Sequence, residues 1–416
     1  MMRTNITRAT FGIIFFCLSF ITAEAQKTEK CSLEERKAHK LLQNPELINK
    51  INDIETFTQD WIKNEYTASS TSEAILTIPV VVHVVYRLNS QNIPDSKVHE
   101  QIDILNVDYR KLNPNYSSTP SVFKAIAADC EIEFCLASIN PNGNPTNGIT
   151  RTQTTTKNIG DTYDYYDKSN GGHNSWDVTK YLNIWVCEMD GFAGFATPPG
   201  YGDASDDGLV VNFEYFGITP NGYGRTATHE LGHYLNLEHP WGNPGKSNCS
   251  DDDKVADTPL QEESVLGCPS FPVFDGCTNS GNGINMSNFM DYTDEECVTM
   301  FTEGQKARIL AALNGPRSSL ISSNGCSGTT SIDEVMMTES IELYPNPAND
   351  MLNIQIKGNS SNQTIKLKIR NVLGKVCDEF DVIENQTVSV AQLTNGVYYI
   401  TSSEYPGLVK KFVVQK

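Results

Sequence analysis

His229-Glu230-Leu231-Gly232-His233, followed six residues later by His239, restricts this chain more than any other stretch of it. Two histidines four apart project from one face of a helix, so both imidazoles can reach a single ion. Glu230, offset by one position, can approach a water at the remaining metal position. A continuing helix would carry His239 ~9 Å further along the axis and onto another face. It can stand at ~2 Å from the same ion only if the helix stops and the chain turns back. Asn236 lies where that stop is needed, and asparagine follows glycine among residues that accept a left-handed backbone. The spacing therefore predicts a helix over Arg225 to Asn236 that ends in a reversal. With seven histidines in the chain, a chance His-Glu-x-x-His is on the order of one in a hundred. The competing account, a helix with two surface histidines, is correspondingly weak.

The chemistry that suits three histidines, an open metal position and an adjacent carboxylate is peptide hydrolysis. Zinc lowers the pKa of a bound water, and Glu230 serves as general base. Two rivals remain at this level: a zinc hydrolase whose third ligand is a glutamate, and a secreted binding or adhesion protein with a structural zinc. The other histidines read differently. His83 sits inside an apolar strand as a hydrogen-bonded core residue, while His39, His99 and His173 carry no pattern.

The first 25 residues read as a secretory signal peptide: Arg3 and Arg8, the apolar run Phe11 to Ile21, then Ala23-Glu24-Ala25. The run falls short of the ~20 residues a bilayer span needs, and no later stretch is apolar enough to cross a membrane. A formal net charge of -19 argues against nucleic acid as a partner. Export permits disulfides, and four of the eleven cysteines (Cys249, Cys268, Cys277, Cys297) fall just after the metal motif. Residues 26–74 read as a polar, helical pro-segment ending in the linker Thr67 to Ser72.

Residues 75–326 form the catalytic unit. Ile78 to Tyr86 is a β-branched, nearly continuous apolar strand expected to be buried on both faces. Val98, Ile102, Leu105, Tyr109 and Leu112 step as a helix that Asn113-Pro114 ends. Further strands are expected over Glu131 to Ala137, Leu182 to Glu188 and Leu209 to Phe213. With two helices, the unit is mixed α/β, a twisted sheet carrying an active-site helix. Residues 327–340 read as a linker, and 341–416 as strands Ile341 to Tyr344, Met351 to Ile356, Thr364 to Arg370, Val397 to Thr401 and Leu408 to Val414. Turns every ten or so residues make this a small all-β sandwich.

The run His229 to His239 resembles the metzincin zinc signature, with Asn236 where most members carry glycine. Asn288-Phe289-Met290-Asp291-Tyr292 looks like the turn that sets a methionine beneath the metal. With Asp257-Thr258-Pro259 and the four clustered cysteines, the span is most similar to the pappalysin family, its ulilysin-like group. The resemblance implies zinc ligands His229, His233 and His239, Glu230 as general base, Met290 as pedestal and Tyr292 as a stabiliser of the oxyanion or the zinc site. It also implies disulfides Cys249–Cys277 and Cys268–Cys297. The acidic loop Asp251 to Thr258 matches the place where the family holds a structural calcium, with Asp253, Val255 (through its carbonyl) and Thr258 as ligands. Cys31, the one cysteine of the pro-segment, could occupy the open zinc position as a latency switch, or pair with another cysteine. The pairing of Cys130, Cys135, Cys187, Cys326 and Cys377 stays open.

At the C-terminus, Leu343-Tyr344-Pro345-Asn346-Pro347-Ala348, Asn395 to Ile400 and the closing Lys410 to Val414 resemble the type IX secretion sorting domain of the Bacteroidota. That resemblance implies a Gram-negative bacterium, passage through its periplasm, recognition by outer-membrane secretion machinery, and a secreted or cell-surface product acting on protein or peptide substrates.

Overall fold

The computed structural model describes residues 29–66, 75–242, 249–326, 341–356, 364–371, 374–383, 385–402 and 409–416. Its elements begin with β1 (Glu29–Cys31), α1 (Leu33–Gln43), α2 (Leu47–Asn64), β2 (Leu76–Tyr86), α3 (Asp95–Tyr109) and α4 (Ser121–Lys124). They continue with β3 (Ile132–Leu136), β4 (Ile149–Gln153), β5 (Leu182–Cys187), β6 (Phe192–Ala196), β7 (Gly208–Asn212), β8 (Ile218–Thr219) and β9 (Gly222–Tyr223). Three helices close this part: α5 (Arg225–Tyr234), α6 (Glu303–Asn314) and α7 (Ser318–Ile321). The expected signal peptide, the linker Thr67 to Ser72 and the linker 327–340 lie outside the described residues. Among the described residues no helix is long and apolar enough to cross a membrane.

The main sheet runs β1-β6-β7-β5-β2-β3, and β4 also pairs with β2. β2 is long enough to hold two partners on one edge, β3 along Leu76–Val80 and β4 along Val82–Tyr86. All pairings are parallel except β6 with β7. The β-branched run of β2 is buried on both faces, as a strand central to a covered parallel sheet must be. On one face Val80, Val82 and Val84 pack with Leu105, Tyr109 and Leu231. On the other, Val85 packs with Trp185, Phe195 and Val210. Each such side chain contributes roughly 1.5–3 kcal/mol on burial, so the sheet is the rigid platform for the site. His83 is fully buried within it, with Nδ1 at 2.8 Å from Thr150 Oγ1 and Nε2 at 3.0 Å from Asn183 Oδ1. Burial lowers its pKa to about 3 and keeps it neutral. Its ring stacks on His173, a residue without a sequence pattern.

Several boundaries differ from expectation. The polar N-terminal stretch is two helices broken around Pro45. α3 stops at Tyr109 rather than Leu112: Lys111 turns left-handed at φ 51° and Leu112 is 66% exposed. The catalytic span holds a third long helix, α6, whose start bears a capping box between Thr302 and Gln305.

Beyond the linker lie β10 (Ile341–Tyr344), β11 (Met351–Ile356), β12 (Ile365–Asn371), β13 (Val376–Val382), β14 (Asn385–Ser389), β15 (Gly396–Ser402) and β16 (Val409–Val414). They form antiparallel sheets β10-β11-β14 and β13-β12-β15-β16. Leu352 and Ile354 of one sheet share a core with Leu367, Ile400 and Phe412 of the other, which makes a sandwich. β13 and β14 were not among the expected strands; β13 buries little beyond Val382, so its sequence lacks clear alternation.

Candidate metal centre

α5 is buried along its whole length. Its start is held from far along the chain: Glu295 accepts hydrogen bonds from the backbone N–H groups of Arg225 at 3.0 Å and Thr226 at 2.6 Å, and from Thr226 Oγ1 at 2.8 Å. A carboxylate there meets the orphan donors and the positive end of the helix dipole. Underneath, Thr228 Oγ1 donates to buried Asp108 at 2.8 Å.

The helix ends at Tyr234, two residues earlier than the spacing suggested, and Asn236 takes the left-handed conformation at φ 71°. Leu237 N–H bonds to the Gly232 carbonyl at 2.9 Å and Asn236 N–H to the His233 carbonyl at 3.0 Å. That is the Schellman arrangement, with asparagine at the position glycine usually fills. The reversal brings His239 back. The Nε2 atoms of His229, His233 and His239 lie 3.0, 3.1 and 3.2 Å apart. Three nitrogens each 2.0–2.1 Å from a tetrahedral centre would stand about 3.3 Å apart.

The second nitrogens fix the ring orientations. His229 Nδ1 donates to the Phe289 carbonyl at 2.8 Å and His233 Nδ1 to the Leu237 carbonyl at 2.9 Å. Their Nε2 lone pairs therefore face one another, an arrangement that repels unless a cation stands between them. Desolvation, then neighbouring histidines, lower the pKa of His233 and His239, so both are neutral donors. The chemistry of the donor set fits a metal ion. His239 is stacked on Trp241 at 4.5 Å between centroids, a partner that no sequence pattern indicated.

Met290 lies beneath α5, fully buried, and packs so close that a Cβ on Gly232 would come 2.3 Å from its Sδ and displace it. Tyr292 stands at the rim, its ring centroid 5.1 Å from that of His239 and its hydroxyl 3.5 Å from the Cys31 carbonyl. Glu230 is fully buried; burial raises its carboxyl pKa well above the ordinary range, and Oε1 has no hydrogen-bond partner among the described residues. β6 passes close above it, since a Cβ on Gly194 would lie 3.1 Å from Glu230 Cγ.

β1 adds to the free edge of β6 in parallel, Cys31 opposite Gly194. Cys31 Sγ donates to Glu230 Oε2 at 3.4 Å and lies within 4.8 Å of the ligating nitrogens of all three histidines. Burial first, and the Glu230 charge second, push its thiol pKa well up. Cys31 makes no disulfide in this structure. This cluster of possible ligands, Cys31 with the three histidines, contains no carboxylate.

Cys249 pairs with Cys277 and Cys268 with Cys297. Cys135 pairs with Cys326, 191 residues away, while Cys130, Cys187 and Cys377 form no disulfide among the described residues. In the acidic loop, Asp253 Oδ1 accepts from Val255 N–H at 3.1 Å and Thr258 Oγ1 at 2.7 Å, and Thr258 Oγ1 also bonds to the Val255 carbonyl at 2.7 Å. Asp253 Oδ2 is buried without a partner among the described residues, and burial pushes its pKa up to about 7.

The family model described as pregnancy-associated plasma protein-A matches residues 164–314, and that of a secretion system C-terminal sorting domain matches 342–415. An extracellular metalloprotease of Arthroderma benhamiae is 30% identical over 255 residues, which are 58% of this chain and 79% of the relative. A second from the same fungus is 29% identical over 250 residues, 58% of this chain and 73% of that protein. Among solved structures, Tannerella forsythia mature mirolysin in complex with a cleaved peptide is 41% identical, covers 62% of this chain and 99% of its own, and has a TM-score of 0.59. A promirolysin mutant from the same organism is 38% identical, covers 72% and 99%, and has a TM-score of 0.65. A histidine cluster gathered by a buried helix and the reversal after it, a mixed sheet and these likenesses agree: the chain belongs to the pappalysin family of metalloendopeptidases and carries a C-terminal sorting domain.

Proposed function

We propose that this is a secreted zinc endopeptidase, made with a signal peptide (1–25) and a pro-segment (26–74) before a catalytic domain (75–326), a linker (327–340) and a sorting domain (341–416). The observation that carries the reading is the convergence of three imidazole nitrogens within 3.2 Å beside a buried glutamate. His229, His233 and His239 hold the ion. A zinc ion so held would supply a Lewis acid that lowers the pKa of water and polarises a peptide carbonyl. Glu230 takes the proton from the attacking water and passes it to the leaving amine. Tyr292 donates to the carbonyl oxygen as charge develops on it; its hydroxyl already stands 3.5 Å from a backbone carbonyl, that of Cys31. Met290 supports the histidines from below. The substrate strand adds to the edge of β6 that β1 covers.

The purified protein is expected to contain one zinc per chain, and a chelator should abolish hydrolysis of a denatured protein substrate, with zinc restoring it. A metal assay without stoichiometric zinc would overturn the reading.

Cys31 is the latency switch. It occupies the water's place beside Glu230 and comes within ligating reach of the three histidines. Support also comes from the promirolysin relative, which has a similar fold over 72% of this chain. Cys31→Ser in the intact chain should raise activity before processing by at least about tenfold, the effect of losing ~1.4 kcal/mol of ligation. Equal latency in a peptide-hydrolysis assay would assign the block to the helices alone.

Asp253, the Val255 carbonyl and Thr258 gather oxygen donors for calcium, and the buried Asp253 Oδ2, without a hydrogen-bond partner among the described residues, fits a hard cation. The sorting domain directs passage through the periplasm of a Gram-negative bacterium to outer-membrane secretion machinery, for release or surface attachment.

A further inference from the structure

The three imidazoles of the centre are not held alike. His229 and His233 each donate Nδ1–H to a backbone carbonyl, at 2.8 and 2.9 Å. His239 Nδ1 is buried without a hydrogen-bond partner among the described residues. An aromatic face meets this ring instead. The indole of Trp241 lies 6° from parallel with the His239 imidazole, centroids 4.5 Å apart, and only 7% of Trp241 is exposed. Face-to-face contact stops the imidazole tilting, the freedom that a hydrogen bond removes from the other two rings.

The turn after the ligand makes this contact. Gly242 N–H bonds to the His239 carbonyl at 2.9 Å, and Pro240, at the first bend, has its φ fixed by its own ring. Gly242 is left-handed at φ 67°, and a Cβ there would stand 2.9 Å from Asp251 Cγ. The turn is thus pressed against the acidic loop, which leaves Trp241 little room to swing away. Trp241 also touches a second working group. Its ring meets that of Tyr292 edge to face, centroids 4.9 Å apart and planes at 72°. Tyr292 meets His239 in the same way, at 5.1 Å and 77°. One indole therefore backs both the third imidazole and the ring whose hydroxyl is assigned to the carbonyl oxygen.

We propose that Trp241 is a positioning residue of the metal centre, fixing the His239 ring for the ion and holding Tyr292 beside it. The inference rests on the zinc peptidase reading above. An imidazole that gives its lone pair to a cation becomes electron-poor, and an electron-rich indole face then attracts it more strongly. The stack tightens when metal binds, and by linkage it raises the affinity for metal. Tyr292 acts on charge that develops in the transition state, so its placement enters kcat rather than KM.

The test uses the chain freed of its pro-segment. Trp241→Leu should weaken zinc binding about tenfold in competition with a chromophoric chelator, the upper scale of an aromatic pair. Trp241→Phe, which restores a ring face, should recover most of that loss. At saturating zinc, Trp241→Leu should lower kcat with KM little changed, and Tyr292→Phe should then reduce kcat by a smaller factor than in the parent. A purely structural tryptophan would lower the melting temperature in the variants and move none of these. Tryptophan emission covers the case in which Trp241→Leu does not fold: zinc added to the metal-free parent should change it, and the change should vanish in Trp241→Phe. Parent zinc affinity in Trp241→Leu overturns the proposal. So does an equal effect of Tyr292→Phe in the two backgrounds, or an emission change that Trp241→Phe keeps. With a parent that binds zinc and cleaves peptide, each of these results leaves the peptidase reading intact; a parent without zinc removes both.

Discussion

Glu230→Gln is expected to lower kcat/KM for peptide hydrolysis by roughly 10²–10⁴-fold while zinc content stays at one per chain. Glutamine keeps the volume of a side chain that is fully buried and pressed by β6, where a Cβ on Gly194 would lie 3.1 Å from Glu230 Cγ. The fold and the three imidazoles should therefore persist. Only the capacity to accept a proton disappears, because an amide nitrogen carries no basic lone pair. Peptide kinetics together with metal analysis on the same preparation make the test. A variant that holds its zinc and hydrolyses at the parent rate would remove Glu230 from the reaction and favour a structural metal.

His239→Ala is expected to weaken zinc binding by more than about 100-fold, beyond what loss of an outer-shell partner costs. The other two imidazoles are anchored independently, His229 by the Phe289 carbonyl and His233 by the Leu237 carbonyl. They should remain in place but offer two donors instead of three. Competition with a chromophoric chelator measures the affinity, and circular dichroism checks the fold. Zinc retained at parent affinity would point to a carboxylate as third ligand, although the observed cluster contains none.

The contrast between these two residues shows how the sequence encodes the site. His229 and His233 are legible because helix geometry alone sets residues four apart on one face, and Glu230 because it stands one position from the first of them. His239 is legible only by arguing that the helix must stop, and Asn236 at φ 71° makes that stop. The predicted helix ran two residues too long because the closing turn is a Schellman arrangement whose bonds, Leu237 to Gly232 and Asn236 to His233, begin before the left-handed residue. α6 was missed although Thr302 and Gln305 carry a capping-box signature that could have located it. β6 was missed for a different reason: Phe192 to Ala196 includes a glycine and two alanines, too little side chain for a strand pattern.

What local sequence determined was the chemistry: the spacing of donors, the reversal, the apolar β2 and the division into a mixed α/β unit and an all-β tail. These depend on neighbours a few residues apart, where backbone geometry acts directly. Tertiary structure alone decided what surrounds that chemistry. Glu295 caps α5 from about seventy residues downstream, Cys135 finds Cys326, and α1 lays Arg36 and Lys40 against Phe195 and Asp206. Such contacts join segments whose meeting depends on how the whole sheet assembles. Loop closure carries no local signature, and no residue pattern announces its distant partner.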